Sequence, residues 1–173
     1  MTLKAKIAPH ITEIIRSLQE AGYETYIVGG AVRDFLLDRT PKDYDISTAA
    51  TPEQIKKVFR QQRVIIIGRR FRLVHYYHGN EVVEISTFRK APENPQKMIH
   101  SKTQHVLPEN MITHDNDFGN STEDAWRRDF TVNAIFYDPV ADKIVDFTGM
   151  GMADLKASVV RTIGEPELRF EED

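Results

Sequence analysis

Apolar residues along this chain follow two periods, and each change of period marks an element. Ile7, Ile11, Ile14, Ile15 and Leu18 recur three and four residues apart, the spacing of one helix face, and Gly22 stands where that helix would stop. Thr25-Tyr26-Ile27-Val28 is β-branched and aromatic and predicts a strand, which Gly29-Gly30 ends. Residues 31–37 return to helical spacing until Pro41 intervenes, and 43–46 predict a second strand. Thr51-Pro52-Glu53 supplies a capping hydroxyl, a proline where no N–H is needed and an early acid, so a helix is predicted from there to about residue 60. Strands follow over 64–67, 71–77 and 82–88, the last two joined at Gly79-Asn80. Periodicity lapses from about 89 to 120, where Pro92, Asn94, Pro95, Pro108 and Gly119 gather. A link longer than roughly 12–15 residues is uncommon in a compact domain, so this loop either faces a substrate as a mobile segment or is poorly ordered. A helix over 123–133, a strand over 134–137, a turn at Asp138-Pro139 and a strand over 143–147 complete the pattern, which by itself predicts one α+β domain spanning 1–173.

Composition narrows the class. Hydrophobic residues make up 40% and charged residues 28%, the balance of a folded domain and not of a disordered chain. The absence of cysteine excludes a disulfide framework, a thiolate zinc site and a cysteine nucleophile. No apolar run approaches the roughly 20 residues of a spanning helix, and Met1 to Ala8 lacks the apolar core of a signal peptide, so a cytoplasmic location is expected. The net charge of -3 carries no signal for a polyanionic partner. Locally the picture differs, because Arg60, Arg63, Arg69, Arg70 and Arg72 crowd one stretch and Arg127 and Arg128 are adjacent. Such a cluster is either a solvated face or a contact for phosphates. The six histidines show no metal-ligand spacing.

Four segments carry candidate chemistry. In Asp43-Tyr44-Asp45, strand alternation would point both carboxylates to one face about 6–7 Å apart, where they repel unless a cation or guanidinium compensates. Magnesium suits such a pair, because it takes one or two carboxylates and fills its other positions with water and phosphate oxygens. Gly29-Gly30, between strand and helix, offers backbone N–H groups to a triphosphate, with Arg33 one turn further on. Glu84 lies mid-strand among apolar residues and is either an exposed position or, if beside the aspartates, a third acid or a base for an attacking hydroxyl. Arg127-Arg128-Asp129-Phe130-Thr131-Val132-Asn133 packs two guanidinium groups, a carboxylate and an amide together. Arginine matches phosphate, while Asp129 and Asn133 can read sugar hydroxyls. Arg127 has a structural alternative in an i,i+4 pair with Glu123. Trp126 is either a stacking platform or, the commoner use, a core residue.

Taken in order, these segments resemble the bacterial poly(A) polymerase and CCA-adding enzyme family, the class II nucleotidyltransferases. The first signature stands as Gly29-Gly30-Ala31-Val32-Arg33-Asp34 running to Lys42-Asp43-Tyr44-Asp45, the second as Arg128-Asp129-Phe130-Thr131-Val132-Asn133-Ala134. The resemblance implies metal-binding catalytic roles for Asp43 and Asp45 and triphosphate contacts at Gly30 and Arg33. It also implies nucleotide and ribose contacts within the second signature. Ile66-Ile67-Gly68-Arg69-Arg70-Phe71-Arg72-Leu73-Val74-His75, Glu84-Ile85-Ser86-Thr87-Phe88-Arg89 and Asp117-Phe118-Gly119-Asn120 ahead of Glu123-Asp124 resemble the poly(A) polymerase branch. Gly149-Met150-Gly151 ahead of Asp154-Leu155 departs from the family's Gly-Gly by one residue.

The implied fold is the polymerase-β-like nucleotidyltransferase head, a mixed sheet with helices packed mainly on one side. The implied reaction is template-independent transfer of adenylates from ATP to RNA 3′ ends with two magnesium ions, Glu84 and Asp129 assisting and Arg69 and Arg70 holding RNA. The alternatives are CCA addition to tRNA and a non-catalytic nucleotide- or RNA-binding module. The family continues into neck and body regions where this sequence stops at Asp173. Residues 1–173 are therefore expected to bind magnesium and nucleotide with little base preference and to extend RNA poorly.

Overall fold

The structure, a computed structural model, describes residues 3–68, 72–90 and 118–164. A 3₁₀ turn, Leu3–Lys6, leads into α1 (Pro9–Glu20), whose Ile11, Ile14, Ile15 and Leu18 are buried at the predicted spacing. Gly22 follows with φ +90°, a left-handed conformation that glycine adopts without steric cost and that turns the chain toward β1 (Thr25–Val28). Then come α2 (Gly30–Leu36), β2 (Asp45–Thr48) and α3 (Pro52–Val58). Thr51 and Gln54 form a reciprocal capping box at the start of α3, satisfying two otherwise unpaired N–H groups. The middle of the chain is a meander of β3 (Val64–Ile67), β4 (Leu73–His78) and β5 (Glu81–Thr87). After the undescribed stretch stand α4 (Ser121–Trp126), a 3₁₀ turn (Thr131–Asn133), β6 (Ile135–Asp138), β7 (Lys143–Asp146) and α5 (Gly151–Ala157).

The seven strands form one sheet in the order β3-β4-β5-β2-β1-β6-β7. All neighbours are antiparallel except β2 and β5, which run parallel with Asp45 opposite Glu84 and Ser47 opposite Ser86. On one face Ile27, Ile46, Val74, Val83, Ile85 and Ile135 pack with the apolar sides of α1, α2 and α3 into the main core. On the other face a smaller cluster of Val28, Phe88, Ala125, Ala134, Phe136 and Ile163 joins α4 to the β1-β6 half. Among the described residues no helix is long and apolar enough to cross a membrane.

Two expectations change, and a third falls mostly outside the described residues. Strand β2 starts at Asp45, so Asp43 lies on the preceding connection and alternation does not set its direction. The helix expected over 123–133 ends at Trp126. Beyond it the Thr131 N–H donates to the Arg161 carbonyl and the Ile163 N–H to the Asp129 carbonyl, while Phe130 bridges Thr162. Backbone groups that a continuing helix would use internally are thus taken by the later segment, and Phe130 and Thr131 resist helix weakly. The expected loop lies mostly at 91–117, outside the described residues, although its ends meet in a bridge between Arg89 and Phe118.

The Gly149-Met150-Gly151 turn has a definite geometry. Gly149 takes φ +70° and the Asp146 carboxylate accepts the N–H groups of Gly149 and Met152, at 3.0 and 2.9 Å. Gly151 sits so close to the Thr131 carbonyl oxygen and Ile135 that an added Cβ would meet them at 2.6 and 2.8 Å. Gly151→Ala is therefore expected to destabilise the domain by about 1–3 kcal/mol, the cost of overpacking, measured by urea unfolding. An unchanged midpoint would show that α5 can slide away from β6.

Candidate active site

The site forms where β2 and β5 run side by side. Their parallel register sets Asp45 directly opposite Glu84, and the next outward-facing pair, Ser47 and Ser86, shares a hydroxyl hydrogen bond of 2.9 Å. An open recess of about 190 Å³ lies here, lined among others by Asp45, Glu84, Ser86, Arg89, Arg127 and Arg128. Asp45 keeps contact with solvent, yet the surrounding protein partly dehydrates its carboxylate. This burial raises its pKa, the Glu84 and Asp43 charges raise it further, and Arg128 opposes them. Arg128 thus offsets only part of what burial and the neighbouring carboxylates do to Asp45.

Gly29 brings the turn to this point. Its φ of +74° and ψ of −143° belong to a region that side chains avoid, and a Cβ there would stand 3.6 Å from Asp45 Oδ2 and 3.7 Å from Arg128 Nη1. The backbone of the glycine turn therefore lies close beside both the acid and the guanidinium. Gly29→Ala is expected to cost about 1–3 kcal/mol in unfolding free energy through backbone strain. It should also weaken nucleoside triphosphate binding by filling the space beside Arg128, which calorimetric titration would record. Wild-type affinity in that variant would remove the turn from the site.

Arg128 is positioned from below. Its Nη2 donates to Asp124 Oδ2 at 2.8 Å and to Ser47 Oγ at 3.3 Å, and its guanidinium lies 5.2 Å from the centre of the Phe136 ring. Its buried Nε has no hydrogen-bond partner among the described residues, so one donor is held free in a dehydrated setting. Arg127 also pairs with Asp124, at 2.8 Å, and not with Glu123, whose carboxylate instead closes a capping box with Asn120. Asp124 is fully buried and additionally accepts the Arg89 backbone N–H at 3.1 Å. Sequence reasoning overlooked this carboxylate as an anchor, although its i,i+3 and i,i+4 spacing to the two arginines was a usable signal.

The remaining expected residues fall into three groups. Arg33 and Asn133, a hundred positions apart, are joined by a 2.9 Å hydrogen bond, with Arg33 also paired to Asp34. The two sequence signatures therefore meet at the start of α2. Gly30 opens that helix with the Arg33 guanidinium beside it. Asp129 is exposed, Arg33 and Asn133 are half-buried, and none of the three is among the residues lining the recess. Arg69 and Arg70 lie outside the described residues. Trp126 is 47% exposed and so is not the core residue that its type most often is. Among the described residues no three histidine or acidic side chains converge as a ready-made metal cage.

A family model described as the poly A polymerase head domain matches residues 25–161. The chain belongs to this family. Poly(A) polymerase I of Salmonella typhi is 44% identical over 168 residues, 96% of this chain and 35% of that protein. The CCA-adding enzyme of Bacillus subtilis is 36% identical over 161 residues, 92% of this chain and 36% of that protein. Among solved structures, the Bacillus stearothermophilus CCA-adding enzyme in complex with CTP superposes with a TM-score of 0.74 at 33% identity, covering 96% of this chain and 37% of that one. The mixed sheet with helices mainly on one side is accordingly the polymerase-β-like head fold. The chain spans about a third of the length of these relatives of the poly(A) polymerase head family.

Proposed function

We propose that this head catalyses template-independent transfer of adenylate from ATP to the 3′ end of an RNA. The observation that carries the reading is the Asp45–Glu84 register beside the Gly29 turn and Arg128: acids for a cation, and a backbone and guanidinium for phosphates. A divalent cation fits this donor set. Burial first, and then the Glu84 and Asp43 charges, raise the pKa of Asp45, a cost that a bound cation would relieve, and an open recess leaves room for the water and phosphate oxygens that magnesium prefers. Asp45, with Asp43 on the connection near enough for its charge to act on Asp45, would hold magnesium, two ions in the full reaction, and the bound metal supplies charge neutralisation and activation of the hydroxyl.

The residues of the chain then have separate tasks. Arg33, Arg128 and the backbone N–H groups at Gly29 and Gly30 bind phosphate oxygens, and Asn133, hydrogen-bonded to Arg33, faces the sugar side of the nucleotide. Asp129 contributes a ribose contact. Glu84 takes the proton as the RNA 3′ oxygen bonds to the α-phosphorus and the bond to the β-phosphate oxygen breaks, releasing pyrophosphate. Arg69 and Arg70 grip RNA phosphates.

Adenylate is favoured over a CCA end by the higher identity to poly(A) polymerase I, 42–45% against 36–40% for CCA-adding enzymes. The test supplies ATP, CTP, GTP or UTP singly, with magnesium, to the whole protein alongside a generic RNA or a tRNA lacking its CCA end. Runs of A on the generic RNA are expected. A completed CCA end with no tailing would make CCA addition the function, and nucleotide binding without any extension would make the head a binding module.

A further inference from the structure

The sheet is covered unevenly on the face that carries Asp45 and Glu84. On the β1-β6 side α4 and Ile163 pack over it. On the β3-β4-β5 side no described element does, and the outward residues form three rungs across the strands. They are Glu84, His75 and Ile65; Ser86, Leu73 and Ile67; and Val82 with Tyr77, beside Arg63, whose carbonyl accepts the Tyr77 N–H at 3.0 Å. Ile65, Ile67 and Val82 are 40%, 39% and 43% exposed, an unusual grouping of large apolar side chains on one open face. The acids therefore stand at the boundary between a covered and an open half-sheet.

A continuous series of planar groups leads away from them. Glu84 contacts His75 Nε2 at 3.3 Å, the His75 ring lies edge-on to Tyr77 with centroids 6.4 Å apart, and the Arg63 guanidinium lies 4.4 Å from the Tyr77 ring centre. Arg63 is exposed and pairs with no carboxylate among the described residues, so its outer plane and its N–H donors face solvent. Crossing from β2 to β3 covers three strand spacings, roughly 15 Å.

We propose that this half-sheet is the track for the last nucleotides of a single-stranded RNA, with bases lying on Tyr77, Arg63 and the Ile65-Val82 surface and the 3′ hydroxyl delivered to Asp45 and Glu84. Charge complementarity selects this occupant. A strand laid this way keeps its phosphates at the Arg63 end and brings its uncharged hydroxyl to the acidic end. Aromatic and guanidinium planes accept any base, so the track holds a strand without reading its sequence. The proposal rests on the reading that a 3′ hydroxyl reacts at Asp45 and Glu84.

The experiment measures binding of a fluorescent oligoadenylate to the protein by anisotropy, with ultraviolet cross-linking and peptide mapping to locate the strand. Magnesium-ATP binding is measured in parallel by calorimetry. Tyr77→Ala is expected to weaken the oligoadenylate about tenfold, and Tyr77→Phe little, with ATP affinity unchanged. Arg63→Ala, an exposed change that leaves the fold alone, should weaken RNA several-fold and flatten its salt dependence. Cross-links should fall on β3, β4 and β5. Full oligoadenylate affinity in both Tyr77→Ala and Arg63→Ala, or cross-links confined to other elements while ATP still binds, would overturn the track and leave the catalytic reading standing. The same follows if these variants alter self-association instead, since the face would then be a protein interface. Loss of ATP binding and transfer in the wild type would instead count against the catalytic reading itself.

Discussion

Asp45→Asn is expected to reduce adenylate transfer by at least about 10²–10³-fold, because the change removes charge that acts on the transition state while leaving the side chain's shape. Single-turnover incorporation of labelled ATP would measure it. The same variant should be more stable than the wild type when divalent cations are absent. Burial, then Glu84 and Asp43, raise the Asp45 pKa in the folded protein, whereas an unfolded aspartate titrates near about 3.9. A raised carboxyl contributes stability that is fully present below the unfolded pKa and is lost as pH rises through the folded one. At neutral pH the wild type has lost that contribution, and asparagine never carries the charge. The gap in melting temperature between variant and wild type should therefore be present at pH 7 and close as pH falls toward the unfolded value. Magnesium should raise the wild-type melting temperature and leave Asp45→Asn unmoved. A pH-independent gap, or an equal magnesium response in both proteins, would contradict the placement of a cation at Asp45.

The largest loss of stability is expected from Asp124. Its fully buried carboxylate takes Nε and Nη2 of Arg127 at 2.9 and 2.8 Å and Nη2 of Arg128 at 2.8 Å, besides the Arg89 N–H. Removing one side of such a cluster leaves adjacent guanidinium groups without their counter-charge in a poorly solvated place, a loss of about 3–5 kcal/mol. Asp124→Asn should thus lower the unfolding free energy measured in urea by that amount, or the melting temperature by roughly 10 °C, and should impair transfer because Arg128 loses its seat. Arg127→Ala is the control. Asp124 then keeps Arg128, so the loss should be smaller and nucleotide binding largely retained. An Asp124→Asn protein within about 1 kcal/mol of the wild type would mean that the arginines draw their support from Ser47 and Phe136, and the carboxylate would cease to be the anchor of the site.

The amino-acid sequence by itself determined the elements whose signals are short in range. Alternate spacing of Ile11, Ile14, Ile15 and Leu18 marks α1 because an amphipathic stripe has one place to go. Thr51 and Gln54 mark the start of α3 because a cap is made within four residues. The two signatures marked Asp45, Arg33, Arg128 and the Gly29 turn in the same way, each by chemistry carried in a few consecutive positions. Tertiary structure alone decided which of these groups meet. Alternation along β5 says that Glu84 faces outward but not which strand lies beside it. A parallel neighbour reached through α3, β3 and β4 sets it against Asp45. Asp124 and Glu123 were equally good partners for an arginine on local spacing, but Asp124 is fully buried beside the two guanidinium groups while Glu123 caps its own helix. The helix expected through Asn133 stopped at Trp126 because residues 161–163 claimed its backbone groups, a competition settled by segments thirty positions apart, beyond the reach of any local pattern.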